Sequence, residues 1–255
     1  MKTWLINQKQ TTNWKTTKAT ADACYALLLH SDAELNTDPS VTIKIGGYEI
    51  NNLQSSEAGT GYFKKRLDGD KVNTAMGNIT VTVQTPGTTS KNTSPSYGAV
   101  YWQYFEDMDK ITSATTSLSL HKKLFIENNT AVGKVLSPVN EDSVLHVGDK
   151  VIVRVELKTG RNLEYLHLKD MRAATMEPVN VLSEYKWEDG LGYYESTKDV
   201  ATDFFISYMP KGTYVFEYPV YITHIGTFSS GIATIQCMYA PEFTSHSEGM
   251  KITVE

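Results

Sequence analysis

The residues that could do chemistry are few and dispersed. Six histidines are scattered through the chain, and no two stand at the spacing that lets side chains share a metal ion. The run Gly226-Thr227-Phe228-Ser229-Ser230-Gly231 comes nearest to a nucleophile elbow, but its glycines are too far apart, and it reads as a hairpin. No GxGxxG, Walker A, HExxH or CxxC motif occurs. Acids cluster at Glu106-Asp107-Met108-Asp109 and at Glu188-Asp189. Alternating acids can hold calcium in a loop, yet the first cluster lacks the glycine and terminal glutamate of an EF-hand and reads as a solvated turn. A carboxylate pair for glycoside hydrolysis could be assembled only by folding, and nothing in the sequence points to one. The expectation is therefore a chain with no catalytic residue, no cofactor and no metal, and not an enzyme.

The bulk composition narrows the partners. The net charge is -5, and the densest basic spot, Lys64-Lys65-Arg66, is followed at once by Asp68 and Asp70. No phosphate-binding surface follows from that, so no nucleic acid is expected. No apolar run approaches membrane-spanning length, so direct membrane insertion is not expected either. The start, Met1-Lys2-Thr3-Trp4, has neither the charged nor the apolar region of an export signal. Cys24 and Cys237 lie far apart in sequence, belong to different domains and read as two small buried hydrophobes rather than a disulfide.

Elements must position whatever surface the chain uses. Residues 2–12 and 16–30 read as two short helices. In the second, Ala19, Ala23, Ala26, Leu27 and His30 share a face, and the run Ala23 to Leu29 is nearly all apolar, so it needs burial on more than one side. From Val41 the period changes to two: Val41, Ile43 and Ile45 alternate with polar residues until Gly46-Gly47. Further strands are expected at 60–66, 71–76, 78–84 and 98–106, with turn-rich stretches at 36–40 and 85–97. A domain boundary is placed in the polar stretch 110–117. Beyond it, strands are expected at 118–126, 150–157, 163–170, 193–196, 202–208, 213–223, 231–239 and 249–254. Val151, Val153 and Val155 face one way and Arg154 and Glu156 the other. Fifteen tyrosines suit half-exposed sheet faces. The fold class is mainly β: antiparallel sandwiches preceded by a helical hairpin.

Three stretches carry a family resemblance. The first is Trp4-Leu5-Ile6-Asn7-Gln8-Lys9-Gln10, Trp14-Lys15-Thr16-Thr17 and Ala19-Thr20-Ala21-Asp22-Ala23. The second is Gly148-Asp149-Lys150-Val151, then Lys169-Asp170-Met171-Arg172-Ala173 and Glu177-Pro178-Val179-Asn180. The third runs from Asp203-Phe204-Phe205 through Gly212-Thr213-Tyr214 and Gly226-Thr227-Phe228 to Met238-Tyr239-Ala240-Pro241-Glu242. In order and spacing these resemble the C-terminal region of bacterial alpha-2-macroglobulins of the Bacteroidetes type. The sequence departs from the family at Ala173-Ala174-Thr175-Met176, where a Pro-Ala-Gly usually precedes the glutamate.

The resemblance implies three pieces: 1–33 as the tail of the thioester-bearing α/α-toroid, 34–116 as a segment of the CUB-like β-domain, and 117–255 as the last macroglobulin-like sandwich. It implies a non-catalytic part of a peptidase trap, exported to the periplasm or cell surface. Its partners would be upstream domains of the same polypeptide and, through the whole protein, target peptidases. It implies that Met238 and Tyr239 dock on the thioester domain and shield it; the thioester Cys/Gln motif itself is not in this sequence. The rival reading is a cell-surface adhesion or carbohydrate-binding sandwich using Trp187, Tyr193 and Tyr194 as a platform.

Overall fold

A computed structural model describes residues 1–29, 39–51, 56–57, 61–84, 98–188 and 190–255. The turn-rich residues 36–38, the loop 85–97, His30 and Asp189 lie outside the described residues. The chain is mainly β, as expected. It divides into two compact units, one of residues 15–100 and one of residues 3–14 with 101–255.

Both helices form, α1 (Lys2–Thr11) and α2 (Thr17–Leu29). Helix α1 stops where Thr12 turns extended, at φ -137°. In α2 the alanines favour the helix, and Thr16 starts it by accepting the Ala19 backbone N–H on its hydroxyl at 3.1 Å. Only Ala23 of α2 is buried; Ala19, Tyr25, Leu28 and Leu29 are exposed and Leu27 is half-buried. Cys24 is exposed too, which corrects the expectation of two buried cysteines: it follows Ala23, the buried residue of α2, and so points about 100° round the helix from it.

The unit of residues 15–100 also holds β1 (Ser40–Ile45), β2 (Tyr48–Asn51) and β3 (Ile79–Gln84), in the order β2-β1-β3. Gly46 makes the β1–β2 turn at φ +58°, a backbone conformation few other residues adopt. A Cβ there would lie 3.2 Å from Met76, which is buried. The strand expected at 71–76 is instead two 3-10 turns, because Asn73 accepts the Ala75 N–H on its side chain at 3.0 Å and bends the backbone locally. Residues 61–66 and 98–106 are irregular and largely exposed rather than strands. Apolar and aromatic content alone does not make a strand where no neighbour pairs with it.

The other unit is a sandwich. Its strands are β4 (Leu118–Thr130), β5 (Gly133–Pro138), β6 (Val144–Leu145), β7 (Lys150–Thr159), β8 (Leu163–Met171), β9 (Met176–Pro178), β10 (Glu184–Glu188), β11 (Leu191–Thr197), β12 (Ala201–Met209), β13 (Gly212–Ile222), β14 (Gly226–Ser229), β15 (Ala233–Cys237), β16 (Thr244–His246) and β17 (Lys251–Val254). One sheet runs β10-β11-β12-β8-β15-β16 and the other β5-β4-β7-β13-β9. A third, smaller sheet, β14-β17-β6, contains a parallel pair, β17 with β6. Gly226–Ser229 therefore pairs with the C-terminal strand and is not a hairpin of its own.

The inside of the sandwich follows the period of two. Val151, Val153 and Val155 are fully buried, while Arg154 turns outward to pair with Glu217. They share one core with Leu118, Leu120, Leu166, Leu168, Phe204 and Ile206. Each such side chain contributes about 1.5–3 kcal/mol by leaving water. The stretch 107–116 runs along this unit, most of the expected boundary at 110–117 included: Ala114 and His246 exchange backbone hydrogen bonds at 3.1 and 3.0 Å, and the Gly249 N–H donates to the Ile111 carbonyl at 2.9 Å. The acids at its start form a solvated turn, with Lys110 Nζ 2.6 Å from Asp107 Oδ2.

Candidate functional site

The Met238-Tyr239 pair sits where β15 ends. Strand pairing to β16 stops at Gln236↔Thr244, and the chain turns over Met238 to Glu242. The turn is closed by Cys237 N–H donating to Phe243 O at 3.0 Å and by Phe243 N–H donating to Ala240 O at 2.9 Å. Pro241, which has no N–H to give, fits in such a turn. Met238 is 59% exposed and Tyr239 81% exposed. Cys237, one residue earlier, is buried and anchors the turn to the core; burial pushes its thiol pKa up.

What holds the two exposed side chains is the neighbouring strand β8. Met238 N–H donates to the Tyr165 carbonyl at 2.8 Å. The rings of Tyr165 and Tyr239 meet edge to face, centroids 5.1 Å apart at 87°. Tyr165 has φ 56°, the only positive φ of a non-glycine among the described residues. Such a conformation costs about 1–3 kcal/mol and persists only where surroundings enforce it.

The strain is visible in the pattern around it. Leu166 pairs with Ile206 and Leu163 with Met209, so the register is the same on both sides of Tyr165. All four are buried, yet on each strand they stand three residues apart rather than two. Inside-outside alternation slips by one on both strands at Tyr165 and Ser207. The spacing Leu163…Leu166 beside Ile206…Met209 was the sequence signal that could have found this residue.

The same edge carries helix α1. Thr11 Oγ1 donates to the Asn162 carbonyl at 3.1 Å, the Asn13 backbone N–H donates to Glu164 Oε2 at 3.0 Å, and Gln10 Nε2 lies 3.3 Å from Glu242 Oε1. Glu164 is buried, and its carbonyl accepts the Cys237 thiol at 3.2 Å. Glu164, Tyr165 and the 238–242 turn are thus bonded to α1 and to each other.

From Tyr165 the outer face of the six-stranded sheet continues as a row set by register: Tyr185↔Tyr194↔Phe205↔His167↔Gln236↔Thr244. Phe205 stacks on the His167 ring, centroids 4.8 Å apart and planes 3° from parallel. His167 Nε2 lies 2.8 Å from Asp203 Oδ1, and Lys198 Nζ is 2.8 Å from Asp203 Oδ2. Burial of Asp203 opposes its ionisation, but the hydrogen bonds from Lys198 and His167 outweigh that and hold its carboxyl below the usual range. Trp187 is exposed beside this row, its ring and the Tyr185 hydroxyl lying over Gly192. Tyr193 is not part of any platform: it is buried against Phe204 and Phe216, since alternation on β11 turns it inward while Tyr194 faces out. The expected Trp187–Tyr194 loop is the β10–β11 hairpin.

Among the described residues, no group of three or more His, Cys, Asp and Glu could hold a metal ion, and no helix is long and apolar enough to cross a membrane.

No curated protein matches the chain. Among solved structures, it is similar to trypsin-activated alpha-2-macroglobulin from Escherichia coli (11% identity, TM-score 0.49, 98% of this chain and 16% of that one). It is similar to Escherichia coli alpha-2-macroglobulin activated by porcine elastase (13% identity, TM-score 0.49, 98% of this chain and 21% of that one). It is also similar to Salmonella alpha-2-macroglobulin reacted with methylamine (14% identity, TM-score 0.43, 94% of this chain and 14% of that one). The chain thus spans about a fifth or less of the length of these relatives. Likeness at these identities and scores identifies nothing by itself. Residues 118–242, from the first residue of β4 to the end of the Met238-Tyr239 turn, match the family described as the Bacterial Alpha-2-macroglobulin MG10 domain, and this segment of the chain belongs to the bacterial alpha-2-macroglobulin family.

Proposed function

We propose that this chain is a non-catalytic part of a peptidase trap, in which Met238 and Tyr239 pack on a thioester-bearing domain of the same polypeptide and keep water from it. The observation that carries this reading is their exposure on a fixed turn: an 81%-exposed tyrosine and a 59%-exposed methionine stand at a sheet end without serving the core. A thioester survives only where water is excluded, and a broad aromatic with a pliable thioether can seal a small polar bond. Residues 1–33 would be the tail of the toroid, 34–116 a CUB-like segment and 117–255 the last macroglobulin-like domain. The exposed Tyr25, Leu28 and Leu29 of α2 support a further covering domain. The whole protein would be exported to the periplasm or cell surface, where it meets target peptidases, and the chain would need no cofactor.

The experiment uses the full-length protein. If it carries a Cys/Gln thioester, Tyr239→Ala raises the rate of thioester loss to methylamine before any bait cleavage. An unchanged rate makes the pair plain surface residues of the sandwich.

A second reading rests on a different observation, the exposed Trp187, Tyr185, Tyr194 and Phe205 on one sheet face. Flat aromatics in a row suit stacking against sugar rings. Binding on a glycan array, lost in Trp187→Ala, would favour a carbohydrate-binding sandwich instead.

A further inference from the structure

Helix α1 and the exposed pair are joined through two adjacent residues. Glu164 holds the chain just beyond α1, its Oε2 accepting the Asn13 N–H at 3.0 Å. Its carbonyl accepts the Cys237 thiol at 3.2 Å. The next residue, Tyr165, takes the Met238 N–H on its carbonyl at 2.8 Å and sets its ring against Tyr239. Between these two anchors the backbone is held at φ 56°, which a tyrosine adopts only under constraint.

We propose that Glu164 and Tyr165 are positioning residues that couple the docking of α1 to the presentation of Met238 and Tyr239. The coupling rests on the shielding role proposed above for its biological meaning, but not for its physics. In this coupling Tyr165 exchanges between the observed left-handed backbone state and the ordinary extended one of a strand, which carries no such strain. The extended state would turn the Tyr165 carbonyl and ring away from the Met238 N–H and the Tyr239 ring. Contacts at both ends of the Glu164-Tyr165 step hold the strained state, so loss of the α1 anchor shifts the population toward the relaxed one. A two-state element biased from two sites is what lets one site report on the other. If α1 is drawn away as neighbouring domains rearrange, the seal formed by Tyr239 is lowered from the sandwich side.

The test is amide hydrogen exchange in the 255-residue chain, read at Met238 and Asn13. Asn13→Pro removes the donor on the helix side without touching the sandwich, and Thr12 already has the extended backbone that a following proline requires. It is expected to speed exchange at Met238, far from it in sequence, by roughly three- to tenfold, the scale of one lost hydrogen bond. Tyr165→Ala, which keeps the cost of positive φ but has no ring to set against Tyr239, is expected to speed exchange at Met238 and at Asn13. Tyr165→Phe, which keeps the ring, is expected to leave both within about twofold. If Asn13→Pro and Tyr165→Ala each act only at their own contact, there is no coupling and the proposal is overturned. In a full-length protein with an intact thioester, Tyr165→Ala should speed methylamine attack about as much as Tyr239→Ala, and the double variant no further. Coupled exchange without any effect of Tyr239→Ala on methylamine attack would sink the shielding reading and leave the coupling standing. A Tyr239→Ala effect with uncoupled exchange would do the reverse.

Discussion

Lys122 Nζ lies 2.6 Å from Asp170 Oδ1, with the two side chains 3% and 0% exposed. The pair crosses the sandwich core, from β4 in one sheet to β8 in the other. The ammonium also donates to the carbonyls of Met171 at 2.5 Å and Ser230 at 3.1 Å, and the Tyr218 hydroxyl donates to Asp170 Oδ2 at 2.6 Å. Charges are expensive to bury, and here partners on several sides offset that cost.

Removing one member should expose the asymmetry. Lys122→Met leaves Asp170 buried without its cation and should destabilise the sandwich by about 3–5 kcal/mol in urea unfolding. The triple variant Lys122→Met, Asp170→Leu, Tyr218→Phe should be more stable than that single one, because no orphaned charge remains. A single-variant loss under about 1 kcal/mol would mean the pair is wet in solution.

Tyr218 makes the stability of the sandwich fall in alkali. Burial, and then the charge of Asp170, push its pKa well above the ordinary value. The unfolded chain releases this proton near pH 10 and the folded one does not. Above that pH the folded state therefore binds more protons, and stability falls as pH rises. The contribution is complete below about pH 10 and declines above it. Tyr218→Phe should flatten that decline in denaturation series run from about pH 9 to 11.

Asp203 acts at the other end of the scale. Its folded pKa is lowered, so its contribution is present above the ordinary carboxylate range and is lost as pH falls through the lowered value. Lys198→Met removes one of the two hydrogen bonds and should raise the Asp203 pKa in a carbon-detected NMR titration. A value that does not move would assign the stabilisation to His167 alone.

Gly192 is the seat of the Trp187 ring. A Cβ there would come 2.0 Å from the Tyr185 hydroxyl and 2.7 Å from Trp187 Cε3. Both are ends of side chains that can swing away, so Gly192→Ala should lift the rings off the sheet and cost about 1–2 kcal/mol. Loss of Trp187 contact with the sheet should appear as a change in tryptophan emission. An unchanged spectrum would mean the ring does not rest there.

How legible each part was depends on how local its cause is. β7 was plain because Val151, Val153 and Val155 alternate with Arg154 and Glu156, and burial on one face needs nothing more. α1 and α2 were plain for the same local reason. Residues 98–106 misled because Tyr101, Trp102, Tyr104 and Phe105 carry strand-like side chains, whereas a strand depends on a distant partner, and none of the described residues pairs with them. β5, β9 and β16 escaped because they are edge strands with little apolar pattern of their own. Met238 and Tyr239 are proposed from family order, not from spacing. Tyr165, the residue beneath them, was not found, because its signal is shared between two strands: three-residue steps at Leu163–Leu166 and Ile206–Met209 count only once the strands are known to pair.

The two cysteines give the molecule a built-in reporter. Cys24 stands open on α2, while Cys237 is enclosed at the end of β15 with its thiol pKa raised by burial. A maleimide dye added to the native protein meets one nucleophile and modifies one position. The second thiol reacts only when β15 parts from β8, so the slow phase of labelling times how often that seam breathes. A dye at Cys24 also lies one helical turn from the exposed Leu28, where any covering domain would quench or shift its emission on arrival.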